Sequence, residues 1–214
     1  MSATVLDCLR TLAGPDIFVG MSPVDSEDGL IDPEPQAIAR AIPTRRAEFA
    51  AGRRAARMAL ADMGHVGTAI PQGEHRAPIW PDGIVGSLSH DDGLAIACVG
   101  KTNGLSGLGL DLADATDFPV HLRKEILRTP DEEQQTGLEA RLNFSAKESV
   151  FKAFYPSVGA YFGFGAVEVT PDMGAARFAV RLRQSLGPVP KRTIFEGRFA
   201  IAEGRLMTLL ALPA

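Results

Sequence analysis

Cysteine is close to missing from this chain: its 214 residues include only Cys8 and Cys98. Two are too few for a disulfide framework, and they have no metal-ligand spacing. A reducing, cytoplasmic setting fits that usage. Long apolar runs are missing as well, none approaching the roughly 20 residues that cross a bilayer. The opening stretch MSATVLDCLRTLAGPD brings Asp7 and Arg10 early, in place of the basic start and apolar block of an export signal. Nor is there an excess of positive charge. The formal net charge of −4 argues against nucleic acid as the main partner, because phosphate backbones are held chiefly by surplus Lys and Arg. Neither membrane nor nucleic acid is expected as a partner.

What remains is ordinary globular material, 45% hydrophobic and 22% charged. It suffices for one sizeable domain or two packed halves of roughly 100 residues each. Residues 23–35, PVDSEDGLIDPEP, read as a surface loop. Thr44 is expected to cap a helix running to Gly64. The run GEHRAPIWP, 73–81, excludes regular helix through its two prolines. Strands are expected at 84–85 and 94–99, and 108–112 reads as a strand delivering Asp111 to a cleft. Short helices follow at 122–127 and after Pro130, then a long helix at 138–155 stopped by Pro156. Strands at 166–169, 177–182, 193–200 and 205–210 close the chain. The order is helix then strands, twice. It implies an α+β fold in two halves, with the break near residues 101–107 and no sequence repeat between them.

The long second helix poses a chemical question. In FSAKESVFKAFYP, 144–156, the residues Phe144, Val150, Phe151, Phe154 and Tyr155 share one broad arc, and Lys147 falls inside it. Its ammonium either snorkels to water along the aromatic surface or meets an anion. Glu148 and Lys152 lie four residues apart at the rim of the arc, where an ion pair is natural.

Three other segments bear on that choice. GLGLDLAD, 107–114, is not a dinucleotide fingerprint, because Leu112 stands where the third glycine would fall. Its glycines free the backbone before Asp111, and an acid at a strand end is a plausible Mg²⁺ ligand or an ordinary turn acid. TRRAEFAAGRRAAR, 44–57, concentrates Arg45, Arg46, Arg53, Arg54 and Arg57 in an acidic protein. Arg46, Arg53 and Arg57 project within about 40° of one another, as a phosphate-holding stripe or a solvated face. GSLSHD, 86–91, lacks the G-x-S-x-G spacing of a hydrolase elbow, while Ser89 and His90 can donate to phosphate.

Four motifs occur in order: R-R-x-E-F-x-x-G-R at 45–53, W-P-D-G-x-x-G-S-x-S-H at 80–90, G-x-D at 109–111 and K-E-x-x-x-K at 147–152. With them the chain resembles the 4′-phosphopantetheinyl transferases of the surfactin and enterobactin type. The resemblance implies a pseudo-symmetric α+β monomer, each half a long helix on a small, mainly antiparallel sheet, divided as 1–105 and 106–214. It implies coenzyme A and Mg²⁺ between the halves, and transfer of the phosphopantetheine arm to a serine of an apo carrier protein, releasing 3′,5′-ADP. Asp111 and Glu148 would be the metal ligands, with Glu148 and Lys152 catalytic and Lys147 and Lys152 facing the phosphates. Arg45, Arg53 and His90 would hold the nucleotide end, with Ser89 adjacent and Arg46 in the same stripe. His75 and Arg76 stand where the family often has a lysine before the W-P segment.

The chain departs from the family in one important place. The usual second acid of D-x-E is Ala113 here, and Asp114 falls one residue late. A water would then fill the third position at some cost in metal affinity. Phe144 replaces a frequent tryptophan. The alternative is a noncatalytic coenzyme A-binding or carrier-docking protein. Carriers of fatty acid, polyketide and nonribosomal peptide systems all remain open, with residues 118–127 among the candidate docking segments.

Overall fold

The computed structural model describes residues 4–214. Two helices not anticipated from the sequence frame the first half, α1 (Val5–Ala13) and the one-turn α2 (Glu34–Ala37), with strand β1 (Phe18–Pro23) between them. The long α3 (Pro43–Asp62) precedes the hairpin of β2 (Ile84–Asp91) and β3 (Leu94–Lys101). The second half begins with β4 (Leu105–Asp114), passes through the short α4 (Arg123–Ile126) and α5 (Pro130–Glu133), and reaches the long α6 (Gly137–Val158). It ends with β5 (Val167–Asp172), β6 (Arg177–Leu182), β7 (Ile194–Ala202) and β8 (Arg205–Pro213). None of the described helices is long and apolar enough to cross a membrane.

The strands form two sheets, ordered β1-β3-β2 and β4-β8-β7-β6-β5. Every pairing is antiparallel. Asp92-Gly93 closes the β2–β3 hairpin with φ of 36° and 79°, the doubly positive turn that matches strand twist. Each sheet carries one long helix. Ala51, Ala55, Ala56 and Leu60 of α3 pack on Ala95, Ala97 and Val99 of β3, and Leu142, Ala146, Val150 and Phe154 of α6 pack on Val169, Phe178, Val180 and Leu210. The opposite faces of β3, β4 and β8 share a third core beneath α1, where Ile96 and Cys98 meet Leu108, Leu110, Leu112 and Leu209. The expected architecture of two α+β halves is therefore present, and the halves share apolar surface as well as a covalent link.

Alternation along β4 decides what faces α6. Leu108, Leu110 and Leu112 point into the central core, which leaves Gly107, Gly109 and Asp111 for the helix. A Cβ at Gly109 would overlap the backbone carbonyl of Ser149, and one at Gly20 of β1 would overlap that of Ala55 in α3. Close approach of a helix backbone, more than local flexibility, therefore accounts for the glycines of GLGLD. The same device recurs in each half.

Three local expectations are corrected. Thr44 does not cap α3, whose N-cap is Ile42 with Pro43 opening the first turn, a position where the missing N–H costs nothing. Pro156 does not stop α6; the helix runs to Val158 and ends at Gly159, φ 66°, whose N–H donates to Tyr155 O. Segment 23–35 is more than a surface loop, because α2 begins within it at the fully buried Glu34. Gly109→Ala should destabilise the fold by about 1–3 kcal/mol through overpacking. An unchanged urea midpoint in that variant would contradict the close approach of α6 to β4.

Candidate active site

The face of β4 turned to α6 carries one acid, Asp111, which is 6% exposed. Its Oδ1 accepts from Lys152 Nζ at 2.7 Å and from Ser89 Oγ at 3.0 Å, and its Oδ2 accepts from Ser145 Oγ at 2.8 Å. The Lys152 ammonium also donates to Ser89 Oγ at 3.1 Å and Leu110 O at 3.0 Å. Three oxygens thus surround one cation where the halves meet. Here β2 runs beside β4 without joining its sheet, and Ser87 Oγ accepts from the Leu110 N–H at 3.0 Å.

Glu148, one turn before Lys152 on α6, is half-buried. Burial raises its pKa above the ordinary carboxylate value; Lys152 opposes that shift, and the like charge of Asp111 adds to it. The Glu148–Lys152 ion pair expected from their spacing is not formed, because Lys152 pairs with the more buried Asp111.

Lys147 corrects a second expectation. It does not face the cleft between the halves: its Nζ lies 2.8 Å from Glu132 Oε1 and donates to Ile126 O at 2.7 Å, with the residue 2% exposed. Burial lowers its pKa and Glu132 works against that. A lysine inside an apolar arc is explained by a buried carboxylate from α5, a partner that the helical wheel of α6 cannot reveal.

The arginine helix divides into two groups. Arg46 pairs with Glu27 at 3.0 Å, Arg54 with Asp25 at 2.9 Å and Arg57 with Glu34 at 2.7 Å. These three clamp segment 22–34 onto α3, which corrects the reading of Arg46 and Arg57 as part of a phosphate stripe. Arg45 and Arg53 turn the other way. Arg45 Nη1 lies 2.9 Å from His90 Nε2 and 3.1 Å from Glu48 Oε2. Arg53 is 3% exposed, donates through Nε to Ile70 O at 2.6 Å and stacks 4.0 Å above the Phe49 ring. Its Nη2 is buried without a partner, and burial, ahead of neighbouring Arg57 and Arg45, lowers its pKa to about 10 against the pull of Glu34. Burial likewise lowers the pKa of His90, opposed by Glu48. Beside Arg45, His90 and the Glu48 carboxylate, the orphaned guanidinium donor of Arg53 could serve an anion.

Arg45, Arg53, His90 and Arg76 line a small cavity of about 50 Å³. Arg76 and His75 also line a larger cleft of about 420 Å³, whose other walls include Trp80 from the first half and Phe151, Lys152 and Tyr155 from α6. Arg76 therefore borders both spaces. A row of cations runs from the arginine helix to Lys152, bordered by an apolar groove.

Besides Asp111 and Glu148, the acids near the far end of that row include Asp91 and Asp114. Asp114 pairs with Arg141 at 3.2 Å and accepts from Thr116, so it does not supply a third acid, and Ala113 is buried. Among the described residues no group of three or more His, Cys, Asp or Glu side chains is placed to hold a metal. Asp111 and Glu148 remain, two hard oxygen donors that fit a divalent ion otherwise ligated by phosphate and water. Sequence reasoning missed Ser145, Thr208, Glu48 and Glu132, which contact these groups. The S in F-S-A-K-E and the E in R-R-x-E were visible, but their partners come from distant segments.

Comparison with known families gives two matches, one in each half of the chain. The description "4'-phosphopantetheinyl transferase N-terminal domain" matches residues 33–100, and "4'-phosphopantetheinyl transferase superfamily" matches residues 107–201. The 4'-phosphopantetheinyl transferase Svp of Streptomyces mobaraensis is 37% identical over 201 residues, 89% of this chain and 82% of the relative. The chain belongs to the 4'-phosphopantetheinyl transferase family. The transferase Npt of Nocardia iowensis is 32% identical over 194 residues, 83% of this chain and 87% of its own length. PptT of Mycobacterium tuberculosis is 30% identical over 209 residues, 90% and 87% of the two chains. The first family match covers the arginine helix and the Ser89-His90 strand, and the second covers Asp111 and α6.

In this transferase the Lys147–Glu132 pair is structural. Lys147→Met should cost about 3–5 kcal/mol by leaving a buried carboxylate without its cation, measured as a lowered urea midpoint. A midpoint within error of wild type would show that the pair carries no such load.

Proposed function

We propose that this transferase moves the 4′-phosphopantetheine arm of coenzyme A onto a serine of an apo carrier protein in a Mg²⁺-dependent reaction, releasing 3′,5′-ADP. The observation that carries the reading is the Asp111–Lys152 pair, with Glu148 beside it, where Lys152 lines a cleft that shares Arg76 with the small cavity of Arg45, Arg53 and His90. The anion site at the arginine helix suits the nucleotide phosphates, with the unpartnered Arg53 Nη2 supplying a buried donor. Arg76 borders both cavities and His75 the larger one, and the groove beside Trp80, Phe151 and Tyr155 suits the arm.

The transfer needs a nucleophile aligned with the phosphoanhydride bond and cations where charge develops. The serine oxygen bonds to the phosphorus that carries the arm, and the bridging P–O bond breaks. Its electron pair departs with 3′,5′-ADP. Lys152 holds its ammonium at that end of the cleft and stabilises the departing charge. Glu148, one turn from Lys152 on α6, accepts the serine proton directly or through a water. Asp111 and Glu148 would hold the divalent ion, which when bound neutralises charge on the phosphate oxygens.

Incubation with coenzyme A, Mg²⁺ and apo carriers from fatty acid, polyketide and nonribosomal peptide systems should add one phosphopantetheine arm to at least one carrier, read by intact mass. Modification of none of them would overturn the reading. Glu148→Gln should lower kcat by about 10²–10⁴-fold with an unchanged thermal melt, and wild-type turnover in that variant would remove Glu148 from its role.

A further inference from the structure

The two oxygens of Asp111 have different partners, and the difference has a direction. Oδ1 faces Ser89 and Lys152, and Lys152 lines the larger cleft. Oδ2 accepts from Ser145 Oγ at 2.8 Å, and Ser145 Oγ lies 2.9 Å from Thr208 Oγ1. Thr208 Oγ1 also donates to Ser145 O at 3.0 Å. An ionised carboxylate only accepts, and each hydroxyl has a single proton to give. The Ser145 proton therefore goes to Asp111, and the single Thr208 proton is shared between Ser145 O and Ser145 Oγ.

Ser145 and Thr208 are both 0% exposed, so bulk water does not compete for these bonds and each polarises the next. Rigid elements set the spacing. Thr208 sits directly opposite Asp111 in the β4–β8 register, and Ser145 lies in the middle of α6.

We propose that Ser145 and Thr208 are positioning residues: a buried two-hydroxyl relay that fixes Asp111 Oδ2 and thereby aims Oδ1 into the cleft to receive the divalent ion. The inference rests on the reading of Asp111 as a metal ligand. Ala113 gives it weight in this chain, because with two carboxylates in place of three the orientation of each matters more to affinity. Hydrogen-bond partners that orient a ligating group typically change metal affinity roughly 10–100-fold.

The test measures Mn²⁺ binding by electron paramagnetic resonance of the free ion, with and without coenzyme A. The proteins compared are wild type, Ser145→Ala, Thr208→Val and Thr208→Ser. Thermal melts without metal report folding, and the near-isosteric Thr208→Val carries the test if Ser145→Ala does not fold. The Kd for Mn²⁺ should rise roughly 10–100-fold in Ser145→Ala, by a smaller factor in Thr208→Val, and return toward wild type in Thr208→Ser. Metal-free affinity for coenzyme A should hold throughout. Wild-type Mn²⁺ affinity in the folded variants overturns the relay, as does a loss of coenzyme A affinity that matches the loss of metal affinity. Failure of wild type itself to bind Mn²⁺ overturns the assignment of Asp111 as a ligand and the relay with it.

Discussion

A carboxylate removed from water must be compensated, and the compensation of Asp111 draws on both halves of this chain. Ser89 arrives from the first sheet, while Lys152 and Ser145 arrive from the long helix of the second. An unpaired charge at that depth would cost several kcal/mol, so the halves must sit where these groups converge. The glycines facing α6 from β4 serve the same end, since only a strand without side chains at those positions lets the helix backbone come close enough.

A second compensated carboxylate appears twice. Glu34 in α2 accepts from the backbone N–H of Ile31 and Ile70 and pairs with Arg57 of α3. Glu132 in α5 accepts from the N–H of Arg128 and Val169 and pairs with Lys147 of α6. Both glutamates are fully buried, in one-turn helices with proline at the start. Each ties the segment before the long helix, the helix itself and the chain beyond it into one unit. The duplicated architecture thus has a duplicated electrostatic anchor, although the surrounding sequences are not alike.

These anchors also sort the basic residues of an acidic protein. Cations bonded to Glu27, Glu34, Asp25 and Glu132 are taken up in holding the chain together. Arg45, Arg53, Arg76 and Lys152 border the open cavities. In the proposed reaction that second set meets the phosphates of coenzyme A, and its members come from α3, the connector after it and α6.

The sequence by itself determined the local elements and the chemistry available to them. Helical periodicity marked α3 and α6, β-branched and alternating runs marked β3 and β4, and the spacing of Asp111, Glu148 and Lys152 could be read before any fold was known. It could not say which opposite charge each residue would meet. Lys147 and Glu148 are neighbours in the chain, yet one is buried against α5 and the other lies near the cleft. Arg45 and Arg46 likewise turn to different partners. Only the tertiary structure decided these pairings, because the strength of an ion pair depends on distance and burial, and both are set by segments as far apart in sequence as those of Asp111 and Lys152.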